Sequence, residues 1–331
     1  MYETVDWLGK PYYSLNAYFK HTYGQKIYKI AVDAGLSCPN RDGSLDTRGC
    51  IFCSQGGSGD FAVNIQETRD NTAEIVKQQI KAGLSRFNKS VGEKFVIYFQ
   101  AYTNTYGNAE YLRKIWKTAL DEESVVGISI ATRPDCLGED VVDVLKELKE
   151  SYSKFIWIEL GLQTIHEKTA EYIRRHYPLS AYEEAVLKLD MLDIPYITHI
   201  ILGLPNETKE EMLETVFYVE QGIFDYDKHR QIKPLGIKLQ LLHVLKNTDL
   251  AEDFYEGKFK TMEMDEYIQL VIDALQRINP EIVIHRVTGD GPKSLLISPQ
   301  WSANKKQVLN LLHKTMAEKN ARQGDYSIAL W

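Results

Sequence analysis

Cysteine is scarce in this chain, with four in 331 residues. That is too few for a disulfide scaffold, and a chain of this length has no need of one to hold its core. No run approaches the roughly 20 apolar residues of a membrane span. The first ten residues lack the apolar core flanked by cations that marks a secretory leader, so the expected location is cytoplasmic, with no membrane partner. Positive charge is in deficit: 39 Lys and Arg stand against 46 Asp and Glu, for a net charge of −7. The chain as a whole therefore gives no support to a polyanionic partner, although a local basic face stays open. Neither an internal repeat nor a low-complexity stretch interrupts it. The hydrophobic share of 44% and charged share of 26% are those of a globular protein.

What is present is alternation. Short β-branched or aromatic runs at 26–32, 95–99, 125–131, 155–160, 196–202 and 237–244, with a last short one at 282–286, read as strands. Helical patterns fall between and after them at 68–87, 108–120, 138–150, 166–175, 181–192, 209–222, 265–278 and 302–319, the first with Thr68 and Asn71 as caps. Near-continuous apolar strands alternating with helices predict an α/β fold, a parallel sheet closing as a partial, six-unit βα barrel of the TIM-like type. The core is read at 26–287, with an N-terminal arm at 1–25 and a C-terminal helical extension at 288–331. In such folds chemistry sits just after the strands.

Three of the four cysteines crowd the loop after the first strand. Cys50 and Cys53 form a C-x₂-C pair, and Cys38 lies eleven residues before Cys50. Three thiolates suit a 4Fe–4S cluster with one iron left open. A zinc knuckle is the competing reading, and it calls for a fourth ligand. No histidine lies in the loop; His21 is upstream and Cys136 far downstream.

This loop, with Phe52 just before its last cysteine, resembles the radical S-adenosylmethionine (SAM) superfamily, whose commonest spacing is C-x₃-C-x₂-C. The long first gap resembles the branch that includes the catalytic subunit of Elongator and the bacterial YhcC/YtqA-type proteins, here without an acetyltransferase domain. Further segments carry the likeness: Phe99-Gln100-Ala101-Tyr102-Thr103-Asn104-Thr105, Ala131-Thr132-Arg133-Pro134-Asp135-Cys136-Leu137, Glu159-Leu160-Gly161-Leu162-Gln163-Thr164, His199-Ile200-Ile201-Leu202-Gly203-Leu204-Pro205, and the stretch from Lys238 to Thr248.

The resemblance implies that Cys38, Cys50 and Cys53 ligate a 4Fe–4S cluster, that SAM chelates the open iron, and that the protein orients and shields the radical chemistry. It implies cofactor contacts at Gln100, Tyr102, Thr103, Asn104 and Thr132. Glu159 is placed for the ribose, Gln163 beside it, and Gly203 for the adenine. Arg175 resembles the arginine that pairs with the SAM carboxylate, with Arg174 as its rival. His176 and Tyr177 depart from the family's Gly-His. Cys136, His199 and Lys238 are candidates for direct roles in the reaction. Each has a plainer reading: Gln100 to Asn104 as a loop capping the next helix, Glu159 in an ion pair, His199 as a core residue, Lys238 as a solvated strand-start lysine, and Cys136 as a buried thiol. The turn Gly289-Asp290-Gly291-Pro292 likewise reads as loop geometry.

For substrate the resemblance implies tRNA, with conversion of wobble 5-carboxymethylaminomethyl-uridine, 2-thiolated or not, to the 5-aminomethyl form. A flavodoxin or ferredoxin would serve as reductant and a SAM methyltransferase would act next. The expected route is hydrogen abstraction from the glycine-like methylene, oxidation to an imine, and hydrolysis. Basic groups at Lys228-His229-Arg230, Lys233, Lys305, Lys306, Lys314, Lys319 and Arg322, and aromatics at Tyr12, Tyr13, Tyr18 and Phe19, are the candidates to face RNA; a solvated cationic face and a packed aromatic arm is the plainer reading, which composition alone prefers. Two alternatives stand beside this reading: a radical SAM enzyme acting on a protein or small molecule, and a non-enzymatic zinc or iron–sulfur binding protein.

Overall fold

The computed structural model describes residues 7–57, 72–86, 93–289 and 291–327. Thr68, Asn71 and Asp290, named above as caps and turn residue, lie outside the described residues.

The elements run α1 (Leu15–Tyr23), β1 (Tyr28–Val32), α2 (Thr72–Ser85), β2 (Phe95–Phe99), α3 (Ala109–Leu120), β3 (Val125–Thr132), α4 (Glu139–Ser151), β4 (Phe155–Gln163), α5 (Glu167–Tyr172), α6 (Leu179–Met191), β5 (Tyr196–Leu202), α7 (Lys209–Gln221), β6 (Ile223–Asp225), β7 (Arg230–Ile232), β8 (Gly236–Leu241), β9 (Val244–Leu245), α8 (Asp249–Tyr255), α9 (Met264–Leu275), β10 (Val283–Arg286), β11 (Leu296–Ser298) and α10 (Lys305–Glu318).

The fold is α/β, as the alternation indicates, and the partial βα barrel of the sequence reading holds. The seven expected strands are all there as β1 to β5, β8 and β10. The chain divides into two units: one is Tyr23–Gly161 with His176–Tyr196, the other Met1–Thr22, Leu162–Arg175 and Ile197–Trp331. In the first, β1 to β4 pair side by side in parallel, with Ile30 opposite Ile97, Ile97 opposite Ile128 and Ile130 opposite Ile158. In the second, β5, β8 and β10 pair in parallel, with Thr198 opposite Ile237 and Ile237 opposite Ile284.

Local sequence explains the elements. All five residues of β2 are buried, as expected of a parallel strand covered on both faces. Helix α3 starts at Asn108, whose side chain accepts the N–H groups of Glu110 and Tyr111, and it buries the stripe Leu112, Ile115, Trp116 and Ala119. Thr208 and Glu211 form a capping box on α7. Gly222 ends that helix at φ 76°, where a Cβ would meet the Ile232 carbonyl oxygen at 2.3 Å.

Several boundaries differ from the sequence reading. β4 runs through Gly161 to Gln163 because Leu160 and Leu162 both bury completely. The run at 237–244 divides at Leu242-His243 into β8 and β9, and β9 turns to pair with β11. Helix α5 stops at Tyr172, short of Arg175, because Arg174 adopts a left-handed φ of 56°. Helices α1 and α8, strand β11 and the β6–β7 hairpin lay in stretches too short or too polar to show a period. The arm and extension pack within the second unit. Gln323 accepts the Tyr13 N–H at 2.8 Å and donates to the Asn279 and Ile282 carbonyls, and Ser14 bridges to Ile284. Tyr12 is 7% exposed and Phe19 2%. Core burial thus removes these two from the aromatics offered for base stacking.

Candidate functional site

In the first unit the site is a long loop fixed by polar side chains. After β1 the chain turns at Cys38, whose carbonyl accepts the Arg41 N–H at 2.8 Å, and the Gly49 N–H returns to the Asn40 carbonyl at 2.7 Å. The C-x₂-C pair forms its own turn, with the Cys53 N–H on the Cys50 carbonyl at 2.9 Å. Arg41 holds this turn from within the loop: its guanidinium donates to the carbonyls of Cys53 and Ser54 at 2.8 and 2.7 Å. Gly49 has φ 79°, and a Cβ there would lie 2.8 Å from Arg41 Nε. The buried Asn40 donates its amide to Cys50 Sγ at 3.4 Å.

The loop after β2 closes on this one. The Tyr102 N–H donates to the Gly57 carbonyl at 2.8 Å and its hydroxyl to the Gln55 carbonyl at 2.5 Å. A Cβ on Gly57 would lie 2.3 Å from the Tyr102 ring. The Thr103 N–H reaches the Ser37 carbonyl, and the Asn104 backbone and side chain both donate to the Ala131 carbonyl at 3.0 Å. Capping of α3 falls to Asn108 instead, so Gln100 to Asn104 serve to tie loops together. Thr132 shares its hydroxyl with Thr105 at 2.5 Å, and Thr105 also donates to the Cys136 carbonyl at 2.7 Å.

Beside the cysteines stands a buried cation the sequence reading missed. Arg133, 8% exposed, grips Asp135 through Nε at 3.0 Å and Nη2 at 2.7 Å and lies 4.9 Å from the Tyr177 ring centroid. Desolvation works against its charge, and Asp135 more than restores it, so its pKa stays above the ordinary value. Tyr177, noted only as a departure from Gly-His, is 8% exposed and donates its hydroxyl to the Gly161 carbonyl. Arg133 stands in a quoted segment and Tyr177 outside one; what hid the pair is that their partnership spans 44 positions of sequence.

The three thiols share one electrostatic environment. Burial pushes Cys50 up to about 12, the neighbouring Cys53 and Cys38 add to this, and Arg133 opposes it. Cys136 is likewise pushed to about 12 by burial and then by Asp135. Among the described residues no three Cys, His, Asp or Glu side chains are drawn together as ligands of a single metal ion. The donor set fits an iron–sulfur cluster: three thiols, an N–H donor on one of them and a guanidinium alongside.

Glu159 is not at a strand end. It is the fifth residue of β4, fully buried, and binds Lys29 Nζ at 2.9 Å and Ser129 Oγ at 2.5 Å.

The second unit carries the remaining candidates. Gln163 ends β4 with φ 71°. Arg175, 1% exposed, donates to the carbonyls of Leu162 and Thr164 at 3.3 and 2.6 Å and to Glu167 at 3.0 Å. Arg174 instead binds Asp249 at 2.5 Å. Gly203 has φ 87°, its N–H meets Met212 Sδ at 3.0 Å, and a Cβ would touch Met262 at 3.3 Å. His199 lies in register with Lys238, its Nδ1 3.4 Å from the Gln240 amide. Lys238 is the third residue of β8 and 3% exposed, so it is buried where a solvated strand-start lysine was the plainer reading. Left-handed φ values occur at Tyr102, Gln163, Arg174 and His176, of 58°, 71°, 56° and 59°, and also at six described residues outside this set.

Comparison with known proteins gives a consistent picture. The Radical SAM superfamily description matches residues 47–219 and the Radical SAM C-terminal domain matches 234–318. The chain is 43% identical to the protein YtqA of Bacillus subtilis over 96% of its own length and 93% of that protein's. It is 31% identical to YhcC of Escherichia coli over 86% of the chain and 85% of YhcC. Its fold resembles the archaeal Elp3 of Methanocaldococcus infernus with a TM-score of 0.64 at 16% identity, covering 90% of this chain and 64% of that one. Among the described residues no helix is long and apolar enough to cross a membrane.

Proposed function

The chain belongs to the radical SAM superfamily, and from that premise we propose that it is a tRNA-modifying member that converts wobble 5-carboxymethylaminomethyl-uridine, 2-thiolated or not, to 5-aminomethyl-uridine. Its cofactors are those of the family, a 4Fe–4S cluster and SAM, and membership sets aside the non-enzymatic zinc-binding reading. When bound, the pair supplies a 5′-deoxyadenosyl radical by one-electron cleavage of the sulfonium.

The chain's own residues do the holding. Cys38, Cys50 and Cys53 would ligate the cluster, with Arg41 fixing the turn that carries the last two. Arg133 lends positive potential to thiolates that burial alone would disfavour. The loop from Gln100 to Asn104 offers neutral acceptors to the SAM ammonium. Arg175 and Gln163 are assigned to the SAM carboxylate and ribose side, Gly203 to close approach of the adenine. Glu159 already neutralises Lys29, so its service to a ribose requires it to share that lysine. His199 and Lys238, at one register on β5 and β8, are assigned to substrate. Cys136 is kept as a candidate hydrogen donor. A flavodoxin or ferredoxin is the proposed reductant, a SAM methyltransferase the proposed next enzyme and the cytoplasm the proposed location.

The observation that carries the chemistry is the loop bearing Cys38, Cys50 and Cys53, its C-x₂-C turn held by Arg41, with Arg133 from the end of β3 acting on the Cys50 thiol. The substrate rests on the resemblance to YtqA-type proteins, strengthened by 43% identity over nearly the whole chain. Anaerobic incubation of reconstituted protein with SAM, a reductant and tRNA bearing the carboxymethylaminomethyl group should yield aminomethyl-uridine and 5′-deoxyadenosine. If 5′-deoxyadenosine forms but the nucleoside is unchanged, the substrate assignment fails and the cofactor assignment stands.

A further inference from the structure

Between α7 and β8, where a βα unit would ordinarily pass straight on, the chain inserts a hairpin. Strands β6 and β7 pair with each other alone, with Ile223 opposite Ile232, Phe224 opposite Gln231 and Asp225 opposite Arg230. This segment lies in the interval 220–233, which neither family description covers. It is firmly built. Its base is pinned by the close approach of Gly222 to the Ile232 carbonyl. Its tip is organised by the inward Asp225 carboxylate, which accepts the N–H groups of Asp227 and Lys228 at 3.0 and 3.1 Å. His229, with φ 52°, closes the turn through a 2.5 Å contact between Nδ1 and the Tyr226 carbonyl oxygen.

On this rigid frame the outward positions carry an unusual set of side chains. Ile223 and Ile232 bury, whereas Phe224 is 43% and Tyr226 79% exposed, their rings edge to face with centroids 5.0 Å apart. Lys228, His229, Arg230 and Lys233 are exposed around them, in a chain whose net charge is −7. Of the two carboxylates in the hairpin, Asp225 is 7% exposed and lies 3.7 Å from Lys228 Nζ, and Asp227 is exposed; Lys233 lies 3.6 Å from Glu220, and Arg230 and His229 complete the basic rim. Apart from their contact with each other, the two adjacent rings present apolar surface to solvent. A protein-binding core would be larger and poor in lysine. Exposed rings beside cations match a stacking platform for bases with phosphate contacts at its rim.

We propose that the β6–β7 hairpin is a docking platform for unpaired nucleotides of an RNA substrate, with bases stacking on Tyr226 and Phe224 and phosphates meeting Lys228 and Arg230. The inference rests on the RNA reading above and names the surface that recognises it. None of these residues belongs to the cofactor-holding set, so reductive SAM cleavage without RNA serves as an internal control.

The test is fluorescence anisotropy of labelled tRNA and of oligouridine RNA with reconstituted wild type, F224A/Y226A and K228A/R230A. The aromatic variant should weaken binding of both probes by about tenfold or more, from roughly 1–3 kcal/mol per stacked base. The charge variant should lower the slope of log affinity against log salt by about 1.4, from ~0.7 for each of two phosphate contacts on a single strand. Both should cleave SAM as wild type does. Because Lys228 and Arg230 are solvent-exposed, the charge variant keeps the test open even if the aromatic variant misfolds. Wild-type affinity and salt slope in folded variants would overturn the platform while leaving the tRNA reading intact. A wild type that binds neither probe overturns both. Binding of an unrelated partner protein that is lost in the variants while tRNA binding persists would make the hairpin a protein surface and also overturn the proposal.

Discussion

The two units hold their candidate residues by different means. In the first, the cysteines and their neighbours sit in loops that side chains staple: within the cysteine loop Arg41 to the carbonyls of Cys53 and Ser54 and Asn40 to Cys50, between loops Tyr102 to Gln55, and after β3 Arg133 to Asp135. In the second, backbone conformation does the positioning. Gln163, Arg174 and Gly203 take left-handed φ values at element ends, and Arg175 is locked onto carbonyls next to β4. Loops that must envelop a soft inorganic group need side-chain staples because no ladder holds them. Strand and helix ends are already rigid and need only a turn in the chain. The first arrangement should fail by losing its ligand and the second by losing fold stability, and substitutions distinguish the two.

The largest expected effect is on the first unit. Replacing Cys38, Cys50 or Cys53 by Ala should abolish the iron–sulfur absorbance of anaerobically reconstituted protein and its SAM cleavage. Cys136→Ala should retain the absorbance. Iron and sulfide analysis checks both, and loss of iron in C136A would place a fourth ligand in the site. Next comes Gly49→Ala. A left-handed φ costs an L-residue about 1–2 kcal/mol, and its Cβ would displace Arg41, 2.8 Å away. Cluster content per chain should fall sharply, with the global unfolding midpoint lowered only by what about 1–2 kcal/mol of strain produces.

The second unit should show the reverse. Arg175→Met leaves the Leu162 and Thr164 carbonyls without the guanidinium, at a cost of about 1–3 kcal/mol. Denaturant unfolding should register it while cluster content after reconstitution is preserved. A smaller effect is expected at Asn40. An N–H donated to a ligating sulfur stabilises the more reduced cluster, so Asn40→Leu should lower the midpoint potential in an EPR-monitored titration. An unchanged potential would reduce Asn40 to a loop-packing residue.

The smallest effect lies far from the cysteines. His313 contacts the Tyr12 hydroxyl at 3.2 Å, and desolvation, then Lys10, lowers its pKa. A depressed pKa means the unfolded chain binds the proton more readily. The stability His313 confers is thus full above the ordinary histidine value of about 6.5 and is lost as pH falls from there through the folded pKa. His313→Asn should flatten that acid limb in denaturation curves recorded between neutral and mildly acidic pH.

Legibility in the sequence followed the same division. The strands showed themselves because parallel strands buried on both faces are written as apolar runs, as in Phe95–Phe99. The cysteine loop was legible because three thiols at a fixed spacing have few other uses. Arg133 with Tyr177, and Lys29 with Glu159, were not, since each pair joins distant positions whose meeting depends on strand register. Glu159 fell near a strand end because the apolar run was read to stop at residue 160, and the burial of Leu160 and Leu162 carries the strand on to Gln163. The β6–β7 hairpin escaped because strands of three residues carry no measurable alternation.

The most direct test is anaerobic reconstitution followed by SAM addition and reduction. The expected result is iron–sulfur absorbance that changes on SAM binding, and 5′-deoxyadenosine whose formation requires Cys38, Cys50 and Cys53. A colourless protein holding one zinc, with SAM recovered intact, would contradict it.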